Sequence, residues 1–169
     1  TFNISAIIAV IGISYTYVKL EKQEPLSGSM IALAVFLLLQ PSSVQTESGD
    51  LVSNIINKDW TAGKGMIGAI IIGLLVGYLY SWFLKKNIKI KMPNGVPAGV
   101  ANAFSALIPA VAIVILATII HGIFSMGLHT TAIEAIYKII QTPLQGMTDS
   151  LGGALLMCFT GPFLWIFGV

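Results

Sequence analysis

Arginine is absent from the 169 residues, cysteine occurs once, and charged side chains make up only 9% of the chain. Without guanidinium groups there is no planar, bidentate grip on phosphate or carboxylate. The net charge is only +2, so nucleic acid is not expected as a partner. A lone cysteine, Cys158, leaves no disulfide framework and argues against a Cys/His metal cluster; in its apolar surroundings it reads as packing. No nucleophile elbow, zinc-binding HExxH, phosphate-binding loop or carboxylate pair occurs, so no catalytic apparatus, metal or cofactor is expected. A soluble surface cannot be built from so few charges, since about a quarter of residues are charged in ordinary soluble domains.

What fills the chain is apolar: 56% of residues are hydrophobic. At roughly 20 residues per crossing there is room for about five membrane spans. The fold class expected is an all-α integral membrane protein, a polytopic helical bundle with an interfacial helix and proline-broken helices. The spans are placed at about 2–18, 28–44, 65–84, 105–126 and 150–169, with an amphipathic helix at about 131–141. Thr1 stands where an initiator Met would, and Leu164 to Val169 stop inside an apolar run, so a piece of a longer membrane protein is expected.

Charge sets the orientation. The third span, Gly65 to Leu84, is followed by Lys85, Lys86, Lys89 and Lys91, with no acidic residue between Trp60 and Ile133. By the positive-inside rule this loop lies in the cytoplasm, while the acidic stretch Glu47 to Lys64 faces outward. The segment from Pro97 to about Met126 is too long for one perpendicular span and contains Pro109. A short amphipathic or half-membrane piece leading into a span from about Ala110 is therefore expected. Thr131 to Gln141 sets Ile133, Ile136 and Ile140 against Glu134 and Lys138, which suits a helix lying on the membrane.

Small residues recur every fourth position in the third span, at Gly65, Ala69, Gly73, Gly77 and Ser81. Such a stripe allows close backbone approach, either inside one bundle or between subunits. Ala98, Asn102, Ser105 and Pro109 share one helix face. The Asn102 amide there suits a hydroxyl-rich ligand or a structural hydrogen bond. Pro109 and Pro162 free carbonyls one turn back, as at the broken helices from which transporters build sites, or as plain kinks. Trp165 offers an indole face on which a sugar could stack, or an interfacial anchor. His121 and His129 flank an outward turn and read as solvated or interfacial, not as a metal site.

From Lys91 to Pro109 the chain reads KMPNGVPAGVANAFSALIP. This stretch resembles a signature of enzyme IIC, the membrane-embedded sugar permease subunit of the bacterial phosphotransferase system, in its lactose/cellobiose/diacetylchitobiose family. Thr142 to Val169, TPLQGMTDSLGGALLMCFTGPFLWIFGV, is similar to the stretch leading into that family's sugar site. The resemblance implies a multi-pass homodimeric carrier in the bacterial cytoplasmic membrane, whose first half helps form the dimer and whose second half holds most of the sugar site. This chain would be the N-terminal half of such a domain. A β-linked disaccharide would be bound at membrane depth and phosphorylated by a phosphocysteine on a separate IIB subunit, charged by IIA; Cys158 is not that cysteine. Asn102 and Trp165 look like sugar-contacting residues, the first by hydrogen bonds and the second by stacking.

An ion-coupled secondary transporter is the alternative, but it calls for an intramembrane acid that these spans lack. A purely structural membrane module would use the Gly65 to Ser81 stripe and leave the Asn102 face unexplained.

Overall fold

A computed structural model of the chain describes residues 4–41, 43–45, 51–53, 55–93, 95–128 and 130–139. Within them lie α1 (Ser5–Leu20), α2 (Pro25–Leu38), a hairpin of β1 (Ser43–Gln45) and β2 (Leu51–Ser53), α3 (Lys58–Thr61), α4 (Met66–Lys85) and α5 (Ala98–Leu128). A short α6 follows at 132–139. The expected span at 150–169, with Cys158, Pro162 and Trp165, lies outside the described residues, as does His129.

Among the described residues, two helices are long and apolar enough to cross a membrane: Gly63–Lys85, which joins a 3-10 turn to α4, and Ala98–Met126 within α5. At 1.5 Å per residue, α1 and α2 are shorter, about 24 Å and about 21 Å.

Caps in the sequence explain the ends of α1, α2 and α4. α1 and α4 both finish in a Schellman motif. Gln23 N–H donates to the Val18 carbonyl and Lys22 N–H to that of Lys19, just as Ile88 donates to Phe83 and Asn87 to Leu84. The left-handed residues are Lys22 (φ 56°) and Asn87 (φ 57°). α2 opens with Pro25 at its first position, while the Glu24 carboxylate accepts from the N–H groups of Leu26 (2.9 Å) and Ser27 (3.1 Å). Lys85 pairs with Glu21, and the buried Tyr80 ring lies against Gly28 of α2. The ends of α1 and α4 and the start of α2 therefore meet at one lysine-rich end, with α1 and α4 parallel and α2 antiparallel to both.

The small-residue stripe of α4 faces α1. A Cβ on Gly73 would lie 3.2 Å from the Val10 carbonyl oxygen and from Ile13, and one on Gly77 would lie 3.2 Å from the Tyr17 ring. Ala69 is fully buried, and Gly65 sits under the Trp60 carbonyl. The stripe thus serves packing inside one bundle and is not left open as a subunit surface. On the facing helix, Ala6, Val10, Ser14 and Val18 are buried at a spacing of four, and the Ser14 hydroxyl donates to the Gly28 carbonyl of α2 (3.3 Å).

Two expectations need correction. The segment containing Pro109 is one continuous helix from Ala98, not a half-membrane piece followed by a span. Pro109 is fully buried, and this stretch of α5 packs on α2, so tertiary packing carries the helix through the missing hydrogen bond. His121 does not flank a turn, because the helix runs on to Leu128; its Nδ1 is buried without a hydrogen-bond partner. The stretch after α2 forms a hairpin. β1 pairs antiparallel with β2, Val44 opposite Val52.

Candidate functional site

Asn102 stands in the second turn of α5. Pro97 starts the helix: its carbonyl accepts from Val100 and Ala101 (3.0 Å each), and its lack of an N–H costs nothing at that position. The four residues read as one face do not share one environment. Ala98 and Asn102 are exposed, Ser105 is half-buried and Pro109 is buried. Ser105 is already engaged, its hydroxyl donating to the Ile90 carbonyl (3.0 Å). That bond ties the lysine-bearing connection between α4 and α5 to the first turns of α5. The Asn102 amide is left presenting two donors and an acceptor away from the bundle. Trp165 lies outside the described residues, so the structure does not bring the two expected sugar contacts together.

A cavity of about 220 Å³ opens between α2, α4, α5 and α6, lined by Val35, Ile72, Val76, Ile113, Ala117 and Ile136 among others. Its lining side chains carry no hydrogen-bonding group, so it cannot recognise a hydroxyl-rich ligand.

Two polar devices beyond those expected from the sequence hold this frame. Thr131 and Glu134 form a reciprocal capping box at the start of α6: Thr131 N–H donates to the Glu134 carboxylate (3.1 Å), and Glu134 N–H donates to the Thr131 hydroxyl (3.4 Å). The Thr-x-x-Glu spacing signals it directly. α6 is anchored by Ile133 over Gly68 and by Tyr137 edge-on to Trp60 (5.4 Å between centroids). The second device is Gln40, buried beyond the end of α2, whose Nε2 donates to the Trp60 carbonyl (3.3 Å). Its place beside Pro41 marks a helix end, but nothing in the local pattern reveals a partner twenty residues away.

The family model described as phosphotransferase system, EIIC, matches residues 1–169. The chain belongs to the phosphotransferase system EIIC family. Among EIIC relatives, it is 37% identical over 169 residues to the oligo-beta-mannoside-specific EIIC component of Bacillus subtilis (strain 168), with all of the chain and 38% of that protein covered. It is 32% identical over 174 residues to the cellobiose-specific EIIC component of Geobacillus stearothermophilus, with all of the chain and 39% of that protein covered. Its fold matches the crystal structure of the transporter ChbC, the IIC component from the N,N'-diacetylchitobiose-specific phosphotransferase system. There the TM-score is 0.83 at 33% identity, over all of this chain and 40% of ChbC. The chain thus spans about two fifths of the length of the EIIC proteins it matches.

Proposed function

We propose that this chain forms part of a multi-pass sugar permease of the bacterial cytoplasmic membrane, which binds a β-linked disaccharide and delivers it for phosphorylation by a IIB subunit charged by IIA. The observation that carries this reading is the likeness along the entire chain, in sequence and in fold, to a diacetylchitobiose IIC component. Sugars of the diacetylchitobiose, cellobiose and lactose class are the candidates. The chain supplies the N-terminal half of the transmembrane domain, about five spans when 150–169 is counted, in a homodimeric carrier. This part provides frame and dimer surface, while most of the sugar site belongs to the other half.

Asn102 is our candidate for a hydrogen-bonding contact and Trp165 for a stacking one. An exposed amide on an apolar helix is costly against lipid, which supports its facing a polar ligand or further protein. The chemistry of transfer belongs to the phosphocysteine of IIB. This chain contributes at most a few contacts to the sugar and keeps α5 fixed to the connection before it through Ser105.

The test is uptake of labelled disaccharide by cells or vesicles carrying the protein. Uptake that requires phosphoenolpyruvate and the phosphotransfer proteins, and yields phosphorylated sugar, is expected. Uptake driven by a proton or sodium gradient without them would replace this reading with an ion-coupled transporter. Within the permease reading, Asn102→Ala is expected to weaken disaccharide binding by about 1 to 3 kcal/mol, the cost of one lost hydrogen bond to a buried hydroxyl. Unchanged affinity in equilibrium dialysis would remove Asn102 from the site.

A further inference from the structure

At the lysine-rich end, between α1 and α4, lies a cavity of about 80 Å³ lined by Tyr17, Glu21, Tyr78, Ser81, Trp82 and Lys85. Half of its lining residues are aromatic, and one feature is out of place. Ser81 is only 2% exposed, yet its Oγ has no hydrogen-bond partner. Buried hydroxyls are rarely left so, because an unmade bond costs the full desolvation of the group. Here the orphan lines a cavity large enough for a small polar group. The last member of the small-residue stripe is thus not explained by the packing that accounts for the other four.

We propose that this cavity takes the phosphate of an anionic phospholipid headgroup. Three observations converge on that ligand. Ser81 lines the cavity and its buried hydroxyl has no partner, and Lys85 lines it as well, with more N–H donors than its pairing with Glu21 consumes. The surroundings favour an anion: Lys19, Lys22, Lys85, Lys86, Lys89 and Lys91 cluster near this end against Glu21 and Glu24. Juxtamembrane lysines of this kind attract acidic headgroups.

The third observation separates a lipid from a free anion. Leu74, Tyr78 and Trp82 follow one another at a spacing of four along α4 and are 45%, 55% and 41% exposed. They form a strip that leads along the helix to Lys85 and to the cavity beside it. An acyl chain laid on Leu74 and Tyr78 brings its headgroup to Ser81 and Lys85, with the aromatic rings at the level where Trp and Tyr favour the interface. Gly77 contributes by what it lacks: a Cβ there would press on Tyr17, the wall contributed by α1. The Glu21 carboxylate also lines the cavity and pairs with Lys85, so Lys85 contributes N–H donors while the net positive charge that favours a phosphate comes from the neighbouring lysines.

The experiment is native mass spectrometry of the whole protein in detergent, titrated with phosphatidylglycerol, phosphatidylcholine or inorganic phosphate. Preferential binding of phosphatidylglycerol is expected. Its dissociation constant should rise roughly fivefold in Ser81→Ala, the loss of one hydrogen bond of about 1 kcal/mol. Lys85→Gln, at an exposed position, should weaken it at least as much. Because Ser81→Ala removes an unpartnered buried hydroxyl, thermal stability without added lipid should hold or rise. Equal affinity for phosphatidylcholine, or unchanged phosphatidylglycerol affinity in both variants, overturns the proposal. Ser81-dependent binding of inorganic phosphate as tight as that of the lipid would give the cavity to a free anion and overturn the lipid assignment. Sugar uptake plays no part in these readouts, so this proposal and the permease reading can fail separately.

Discussion

α4 and α5 are both uninterrupted apolar helices, yet they occupy opposite roles. In the most apolar stretch of α4 half of the residues are buried, against 22% in that of α5. The difference is written in side-chain size, not in hydrophobicity. α4 places glycine, alanine or serine at every fourth position, so α1 approaches until the Gly73 backbone nearly touches that of Val10. α5 carries bulky residues on its outward side, with Val111, Ile115, Ile119 and Ile123 all more than half exposed. In lipid no hydrophobic gain drives apolar helices together, so close packing decides which helix becomes the centre.

The largest effect should come from breaking that close approach. Gly73→Leu places a branched side chain where even a Cβ would meet Ile13 and the Val10 carbonyl oxygen at 3.2 Å. A cost of about 3 kcal/mol or more is expected, read as a fall in the midpoint of thermal unfolding in detergent. A change near zero would mean that α1 does not pack on α4 as described. A smaller effect should separate the two helices at their connection. Ser105→Ala removes the hydroxyl that holds the Ile90 carbonyl, at about 1 kcal/mol. Faster protease cleavage between Lys85 and Pro97, with little change in the unfolding midpoint, is the expected outcome. Unchanged cleavage would show that the connection is held elsewhere.

The helix at Met66–Lys85 is legible from sequence because a charge-free run of helical length ends on lysines. The stripe is equally legible, but which surface it meets is not: a spacing of four gives the face and not the partner. Only the opposed Val10, Ile13 and Tyr17 assign it to α1. Pro109 misleads because a proline predicts a local loss of one hydrogen bond, while continuity of the helix depends on what packs across it. The cap at Glu24 and the capping box at Thr131 and Glu134 are local and were open to reading. The candidate sugar contacts divide likewise. Asn102 is conspicuous as an amide in an apolar helix, but its exposure depends on Ser105, not Asn102, turning back to Ile90.

The smallest expected effect tests the outer side of α5. Ile119 is 54% exposed and meets no other element closely enough to be buried. If lipid covers it, Ile119→Ala exchanges one apolar surface for a smaller one in an apolar solvent, and the unfolding midpoint should shift by less than the equivalent of about 0.5 kcal/mol. A core substitution of the same kind costs about 2 to 5 kcal/mol through the cavity it leaves. A loss in that range, measured on the whole protein, would mean that protein covers the face. The contrast between α4 and α5 would then reflect the two-fifths share of the relatives' length that this chain spans, and bulky residues would be marking a second seam instead of a lipid boundary.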